Sequence, residues 1–569
     1  MTPKGSDNNG ERGKSVRTVC NFLSLCIALV IGSSGQTFTT LASFDGVSGS
    51  SPNSLVQATD GNLYGTAFNG GTTSYCASFC GTLFKITPDG KLTTIYTFCS
   101  QSDCTDGFGP YAGLTQGSDG NLYGTTWWGG ARGKGNGVGT VYKITPKGKL
   151  TTLYSFCAQA NCTDGFYPYG ALIQASDGNF YGTTEEGGID GDCGGFIGCG
   201  TVFKISRTGR LTTIYSFCSQ ANCADGALPR GPLVQGMDGN FYGMTYFGGS
   251  ACNYYCGTVY RITPSGAVTT LHSFQGYDGD QPAGGLVQAI DGTFYGTTSY
   301  TIFKITPDGT LTTLESFEGT NGSSPNSLVQ AGDGNFYGTT SYGGAYMGGT
   351  AFEISPAGSW SDLYDFCFES GCSDGRSPFA GLLQHTNGSF YGTTWWGGVH
   401  DDGTIFNLSV GLGRFVETQA ASGKVGAGVI ILGNDLAGTT GVSFGGTPST
   451  FTAKSTFIKA KVPNGATTGT VTVSISSGTL LSRVPFRVTP QLKSFSPKSG
   501  SVGTQVTITG VSLTQTSGVS IGGVATTEFT VNSDTQVTAI IPEGAQTGAI
   551  TIITAGGIAT SKGHFRLTK

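Results

Sequence analysis

The chain has 569 residues, 96 of them glycine, with 11% charged and 11% aromatic residues and a formal net charge of −5. That length exceeds one ordinary core, so several domains or a repeat array are expected, and the aromatic content excludes a disordered chain. The acidic balance excludes the basic footprint of a nucleic-acid binder.

The first element is apolar. Lys14 and Arg17 precede an apolar run over residues 19–31, followed by Gly32-Ser33-Ser34-Gly35. This order of charge, apolar stretch and small residues is that of a secretory signal peptide, and the run is short for a membrane span. Residues 1–36 are therefore expected to be cleaved near Gly35; a retained anchor is the alternative. No second apolar span follows, so none is expected in the mature chain.

Next come seven copies of one pattern, roughly L-x-Q-x-x-D-G-N-F-Y-G-T-T, a glycine-rich gap, then G-T-x-F-K-I-T-P-x-G-x-L-T-T-L-Y-S-F. The Tyr-Gly step falls at Tyr64, Tyr123, Tyr181, Tyr242, Tyr295, Tyr337 and Tyr391, at spacings of 59, 58, 61, 53, 42 and 54 residues. Each copy holds four short strand candidates. Asp-Gly-Asn separates the first two and Pro-Asp-Gly or a variant the last two, residues that tolerate the backbone of tight turns. The 42-residue copy has the length of a bare four-stranded blade, and an all-β, seven-bladed β-propeller is the economical architecture. An open solenoid is the alternative, and it would need caps at both ends. The seventh copy stops after Gly403-Thr404-Ile405-Phe406, while residues 37–44 are an orphan T-F-T-T-L-A-S-F segment. The orphan is expected to supply the missing fourth strand and lock the ring.

In such a blade the first-to-second and third-to-fourth turns share one face, and the other two connections share the opposite face. All length variation belongs to the second set, so one face is plain and the other carries the elaborated loops, where any binding is expected. Fourteen cysteines beyond the signal segment form close pairs in those loops. Cys99/Cys104, Cys157/Cys162, Cys218/Cys223 and Cys367/Cys372 lie between blades, and Cys76/Cys80, Cys193/Cys199 and Cys252/Cys256 lie between second and third strands. Each loop has two or none, which points to disulfides within loops in an oxidising compartment. Zinc would need four converging ligands. The pairs sit in different blades and the chain has only four histidines, so no metal is assigned to them.

On the same face an Asp-Gly-x-x-Pro step recurs, beginning at Asp106, Asp164, Asp225 and Asp374. These carboxylates suit sugar hydroxyls or Ca²⁺, or they cap a turn before proline; no cofactor is otherwise implied. Aromatic steps crowd the face too: Trp127-Trp128, Tyr246-Phe247 and Trp395-Trp396 offer flat apolar surfaces on which sugar rings stack. Packing between blades is the competing account. No nucleophile elbow, metalloprotease helix or phosphate loop occurs, and the four histidines are scattered, so no catalytic residue is assigned.

After Leu408 two similar stretches follow, 411–489 and 490–569. Val442-Ser443-Phe444-Gly445-Gly446 and Val462-Pro463-Asn464-Gly465-Ala466 in the first answer to Val519-Ser520-Ile521-Gly522-Gly523 and Ile541-Pro542-Glu543-Gly544-Ala545 in the second. Both resemble IPT/TIG domains, which implies immunoglobulin-like sandwiches. The seven copies over 37–410, with Asp-Gly-Asn-Phe-Tyr-Gly-Thr-Thr and Gly-Thr-Val-Phe-Lys-Ile, resemble the GloVer tandem repeat of bacterial choice-of-anchor surface proteins. They are also similar to the NHL propeller repeat in strand order. The GloVer resemblance implies export and brings no catalytic residues. The expected function is a secreted or cell-surface binding protein that recognises a glycan or other extracellular ligand. An exported enzyme acting on polysaccharide or a lactone is the alternative, and a structural envelope protein a further one. The sequence leaves oligomeric state open.

Overall fold

A computed structural model describes residues 28–29, 35–131, 137–189, 192–193, 196–251 and 255–569. The expected signal peptide lies mostly outside these residues. Within it, Ala28–Leu29 pairs with the strand Thr37–Ser43. Among the described residues there is no α-helix, and no helix is long and apolar enough to cross a membrane.

The first five copies each form a four-stranded antiparallel blade in sequence order, and the sixth does the same with Ser323–Pro325 as an added strand. Blade 2 is typical, with Thr115–Gln116, Leu122–Thr126, Thr140–Ile144 and Leu150–Ser155. Blade 7 takes Leu383–Gln384, Phe390–Thr394 and Thr404–Ser409 from its own copy and its fourth strand, Thr37–Ser43, from the start of the ring. The pairing runs from Thr37 opposite Ser409 to Ser43 opposite Thr404. Phe38 on the closing strand stacks on Tyr364 of blade 6 at 3.7 Å, so this strand is bolted to two blades.

The repeated Phe-Tyr-Gly step explains how blades pack. The tyrosine is buried and its ring lies on the aromatic that opens the next blade's second strand, as in Tyr123–Phe180 at 3.9 Å, Tyr242–Phe294 at 4.1 Å and Tyr337–Phe390 at 4.3 Å. In blades 1 to 4 and 6 its hydroxyl turns back to the aspartate of its own Asp-Gly-Asn turn, as Tyr123 donates to Asp119 at 2.8 Å and Tyr337 to Asp333 at 2.8 Å, while Tyr391 accepts from Asn387 at 3.1 Å. The glycine is required by the third strand, because a Cβ on Gly392 would lie 2.3 Å from the Phe406 ring. A glutamine at the end of the first strand adds a polar clamp between blades. Thr59 N–H donates to Gln116 Oε1 at 3.0 Å and Ser176 N–H to Gln235 Oε1 at 2.9 Å. The same clamp crosses the closure, from Thr386 N–H to Gln57 Oε1 at 3.0 Å.

Two sandwiches follow with one strand plan. In the first, Glu417–Thr418, Gly428–Leu432, Phe457–Lys461 and Phe451–Ala453 form a sheet; in the second, Gln491–Ser496, Gln505–Val511, Gln536–Ile540 and Phe529–Ser533 form its counterpart. Both add a short parallel pair, Ser422 with Arg487 and Ser499 with Arg566. The first sandwich sits on the plain face. Thr456 Oγ1 donates to Thr59 O at 2.7 Å in blade 1, Arg483 Nη1 to Gln330 O at 2.8 Å in blade 6, and Asn434 Nδ2 to Thr386 Oγ1 at 2.8 Å in blade 7. Gln419 reaches Gln116 in blade 2 and Arg487 reaches blade 4, so the attachments straddle the ring axis.

Candidate functional site

The loop-rich face is organised by one proline per blade: Pro52, Pro110, Pro168, Pro229, Pro282, Pro325 and Pro378. For every one of these prolines but Pro325, where Tyr300 precedes the third strand, a Cβ added to the glycine before the preceding blade's third strand would meet the ring, at 2.3 Å for Gly81 against Pro110 and 2.6 Å for Gly403 against Pro52. Proline has a fixed φ and no donor to satisfy, so this contact sets where the next residue goes. That next residue lines a central cavity of about 380 Å³ in every blade: Asn53, Tyr111, Tyr169, Arg230, Ala283, Asn326 and Phe379. Two of them brace the ring, since Asn53 Nδ2 donates to Pro110 O at 2.9 Å and Asn326 Nδ2 to Pro378 O at 2.6 Å.

The residue that follows the Tyr-Gly-Thr-Thr segment stands beside this ring, and the two layers together divide the mouth into three sectors. From blade 7 to blade 3 the wall is aromatic. Phe379 packs on Trp395 at 4.7 Å, Trp395 on Phe68 at 6.0 Å, Phe68 on Tyr111 at 5.5 Å, Tyr111 on Trp127 at 5.8 Å and Tyr111 on Tyr169 at 4.2 Å. Across blades 3 and 4 the wall is charged: Arg230 pairs with the buried Glu185 at 2.7 Å and lies 3.7 Å over the Tyr246 ring. Blades 5 and 6 contribute Gln281, Ser299, Ser341 and the small Ala283.

Burial pushes Tyr111 and Tyr169 above the ordinary tyrosine value, so both hydroxyls stay protonated. Burial opposes the charge of Arg230, but the Glu185 carboxylate outweighs it and holds the guanidinium above its usual value. Two indole N–H groups, Trp127 Nε1 and Trp395 Nε1, are buried without a protein partner at equivalent positions of blades 2 and 7. A donor left so carries a cost that an acceptor from a ligand or water removes.

The expected site residues divide. Of the first residues of each aromatic step, Tyr246 lines the cavity, while Trp127 and Trp395 pack on its lining residues Tyr111 and Phe379. The second of each backs it: Trp128 stacks on Trp127 at 4.8 Å, Phe247 packs on Tyr246 at 4.8 Å, and Trp396 lies 5.4 Å from the Arg376 guanidinium. Asp106, Asp164, Asp225 and Asp374 are fully buried and hold their own loops. Asp106 Oδ2 accepts from Tyr96 OH at 2.7 Å and Ser100 N–H at 2.9 Å, and Oδ1 from Gln101 N–H at 3.2 Å; the other three repeat this set. Of the loops without cysteines, the one after blade 4 has His272 in the tyrosine's place, meeting Asp278 at 2.7 Å, and the one after blade 5 has Glu315, which accepts from Asn321 at 2.9 Å.

Cys76–Cys80, Cys99–Cys104, Cys157–Cys162, Cys193–Cys199, Cys218–Cys223 and Cys367–Cys372 are disulfides. Cys252 lies outside the described residues, and Cys256 is disulfide-bonded. In the loops between blades the bond holds both cysteines in the left-handed region, with φ of 54° at Cys99 and 49° at Cys104. Non-glycine residues take that conformation at a cost, which the disulfide and the buried aspartate together sustain. The pairs are not all apart, as their sequence positions suggest. The sulfurs of Cys193, Cys199, Cys218 and Cys223 all lie within 4.8 Å of one another, where two disulfides from successive loops meet. Sequence reasoning missed Tyr111, Tyr169, Arg230, Glu185, Phe68 and Phe379. The signal for Tyr111, Tyr169, Arg230 and Phe379 was the residue after each proline, and for Phe68 and Glu185 the residue after the Tyr-Gly-Thr-Thr segment, Tyr-Gly-Thr-Ala in the first copy; both vary widely beside constant neighbours.

The model of the Gloeobacter/Verrucomicrobia repeat matches residues 29–194, 191–301 and 300–479. The chain belongs to this repeat family. The IPT/TIG domain matches residues 490–567, the second sandwich. No curated protein matches the chain. Among solved structures, a catalytically inactive virginiamycin B lyase from Staphylococcus aureus with quinupristin is 15% identical, covering 66% of this chain and 99% of that one, with a TM-score of 0.43. A fungal alcohol oxidase of the AA5 family in complex with copper is 13% identical, covering 77% and 99%, at 0.44. The surface glycan-binding protein PbSGBP-B from Prevotella bryantii is 18% identical over 26% of this chain and 38% of that one, at 0.21. None of their chemistry is carried over.

Proposed function

We propose that the protein is an exported binding protein whose loop-rich mouth takes the end of a glycan. The observation that carries this reading is the aromatic arc of Trp395, Phe68, Tyr111, Trp127 and Tyr169, with two buried indole N–H groups and two protonated phenols among its polar atoms. Flat apolar walls with a few fixed donors suit a sugar ring, whose faces are apolar and whose rim is hydroxyl. The first sandwich straddles the axis on the plain face, which favours entry from the loop-rich side alone. The disulfides support an oxidising, extracellular setting.

Glycan-array screening followed by calorimetry tests the reading. A hit is expected to weaken at least tenfold in Trp127→Ala and in Trp395→Ala, while both variants keep the far-ultraviolet spectrum of the parent. Failure to bind any glycan, or equal affinity in both variants, would count against it. The enzyme reading has one foothold, the Glu185–Arg230 pair in the same mouth. Turnover of a polysaccharide or lactone that disappears in Glu185→Gln would replace binding by catalysis.

A further inference from the structure

A second cavity, of about 780 Å³, lies on the plain face, bounded by blades 4 and 5 and by both sandwiches. Its walls are apolar. Met237 and Leu286 come from the propeller, Pro485 from the first sandwich, and the half-exposed Ile290, Ile553 and Ile558 from the propeller and the second sandwich. Water-facing isoleucines are unremarkable singly, but here they converge on one cleft from separate domains.

One group in this cleft is out of keeping with its walls. Arg487 is largely buried, and desolvation lowers its pKa from the ordinary arginine value. Among the described residues its guanidinium makes one hydrogen bond, from Nη1 to Gly236 O at 2.6 Å, and no ion pair. A guanidinium has five N–H donors arranged to meet a carboxylate with two of them. Asp238, which also lines the cleft, is turned to Asn240 and Tyr242, accepting at 2.6 and 2.9 Å, and acts on Arg487 through its charge without a hydrogen bond to it. The contrast with Arg230 and Arg483 is plain, since each of those has a glutamate within 2.9 Å. The Asp238 carboxylate supports the Arg487 charge only from beyond ion-pair distance, and desolvation still outweighs it; a carboxylate in direct contact would complete the pairing.

We propose that this cleft binds a long-chain alkyl carboxylate, its chain along the apolar walls and its carboxylate on the Arg487 guanidinium. The volume suits such a molecule, being within the range of sites that enclose small ligands. Arg487 supplies selectivity for the acid over neutral amphiphiles, because an uncharged head leaves the cation as it was. The site is separate from the mouth on the opposite face.

The test is calorimetry of the full chain with palmitate and with methyl palmitate, both below their aggregation limits. Palmitate is expected to bind one to one, methyl palmitate at least tenfold more weakly. Arg487→Gln is expected to remove that preference by weakening palmitate about tenfold. Because Arg487 also holds Gly236, Ile290→Asp and Ile558→Asp serve as independent variants at half-exposed positions; both are expected to abolish palmitate binding with the melting temperature of the free protein unchanged. Trp127→Ala is expected to leave it intact. No saturable binding, equal affinity for acid and ester, or indifference to Arg487→Gln and Ile558→Asp would overturn the proposal. Ligand-free dimerisation lost in Ile558→Asp would assign the cleft to a second copy and would overturn it too.

Discussion

The two faces of the ring are built from the same blades, yet they use their repeated residues differently. On the plain face the repeated side chains bind their neighbours: tyrosine the turn aspartate, glutamine the preceding blade, and several of the turns the first sandwich. On the loop-rich face the fixed elements are the proline step and the buried aspartate, and they position a residue that differs from blade to blade. Regularity on one side thus supplies the frame within which chemical variety on the other is tolerated. The lesson is that a repeat's constant positions report on packing, while its variable positions set the chemistry of the face they line.

The comparison predicts that the frame and the mouth respond to different insults. The largest effect is expected at the closure. Phe38→Ala removes a buried ring stacked on Tyr364 and should destabilise by about 3–5 kcal/mol, read by denaturant titration. A loss below about 1 kcal/mol would show that the closing strand does not hold the ring. Next is reduction. Each disulfide closes a short loop and contributes about 2 kcal/mol, so hydrogen exchange in reductant should rise in the loops holding Asp106, Asp164, Asp225 and Asp374 and stay unchanged at the Asp-Gly-Asn turns. Equal loosening of both faces would break the distinction.

A third test uses pH. Burial holds the His385 imidazole below the ordinary histidine value; its Nδ1 accepts from Asn387 N–H at 3.2 Å while Nε2 lies 3.4 Å from Gly61 O across the closure. The neutral ring is the one folding favours. Stability from this group is therefore full above the unfolded-chain value of about 6.5 and declines as pH falls through it towards the lower folded value. Between pH 7.5 and 5 the wild type should lose more stability than His385→Gln, and parallel losses would remove histidine from the account. The smallest effect is expected at Tyr142 and Tyr260, whose buried hydroxyls have no partner where other blades carry phenylalanine. Tyr142→Phe should be neutral or stabilising by about 1 kcal/mol, whereas Tyr123→Phe, which frees Asp119, should cost about that much.

Much of the frame was legible in the sequence because it is written in turn chemistry. Asp-Gly-Asn and Pro-Asp-Gly mark strand ends, the Tyr-Gly spacing gives the blade count, and the orphan residues 37–44 announce the closure that Thr37–Ser43 makes. The aspartates of the Asp-Gly-x-x-Pro step carried two readings, and only the coordinates show their oxygens turned to Tyr96, Tyr154, Tyr215 and Tyr364. The mouth was harder. Which loop residue faces the axis depends on how a proline seats against the glycine of the preceding blade, a contact between copies that no pattern within one copy expresses. The seating of the first sandwich over the plain face depends on single polar contacts such as Thr456 with Thr59, and these leave no trace in periodicity.

The closing strand also dictates an order of events. Thr37–Ser43 is made first, but its partner Thr404–Ser409 is made only after six blades have been synthesised. Contacts so distant along the chain are slow to form, because a long loop must be closed before they stabilise anything. A nascent chain therefore carries an unpaired strand edge for most of its synthesis, and the ring cannot be finished until residue 409 is available. The assembly has a built-in delay, and a truncated product is left with an open seam rather than a smaller ring.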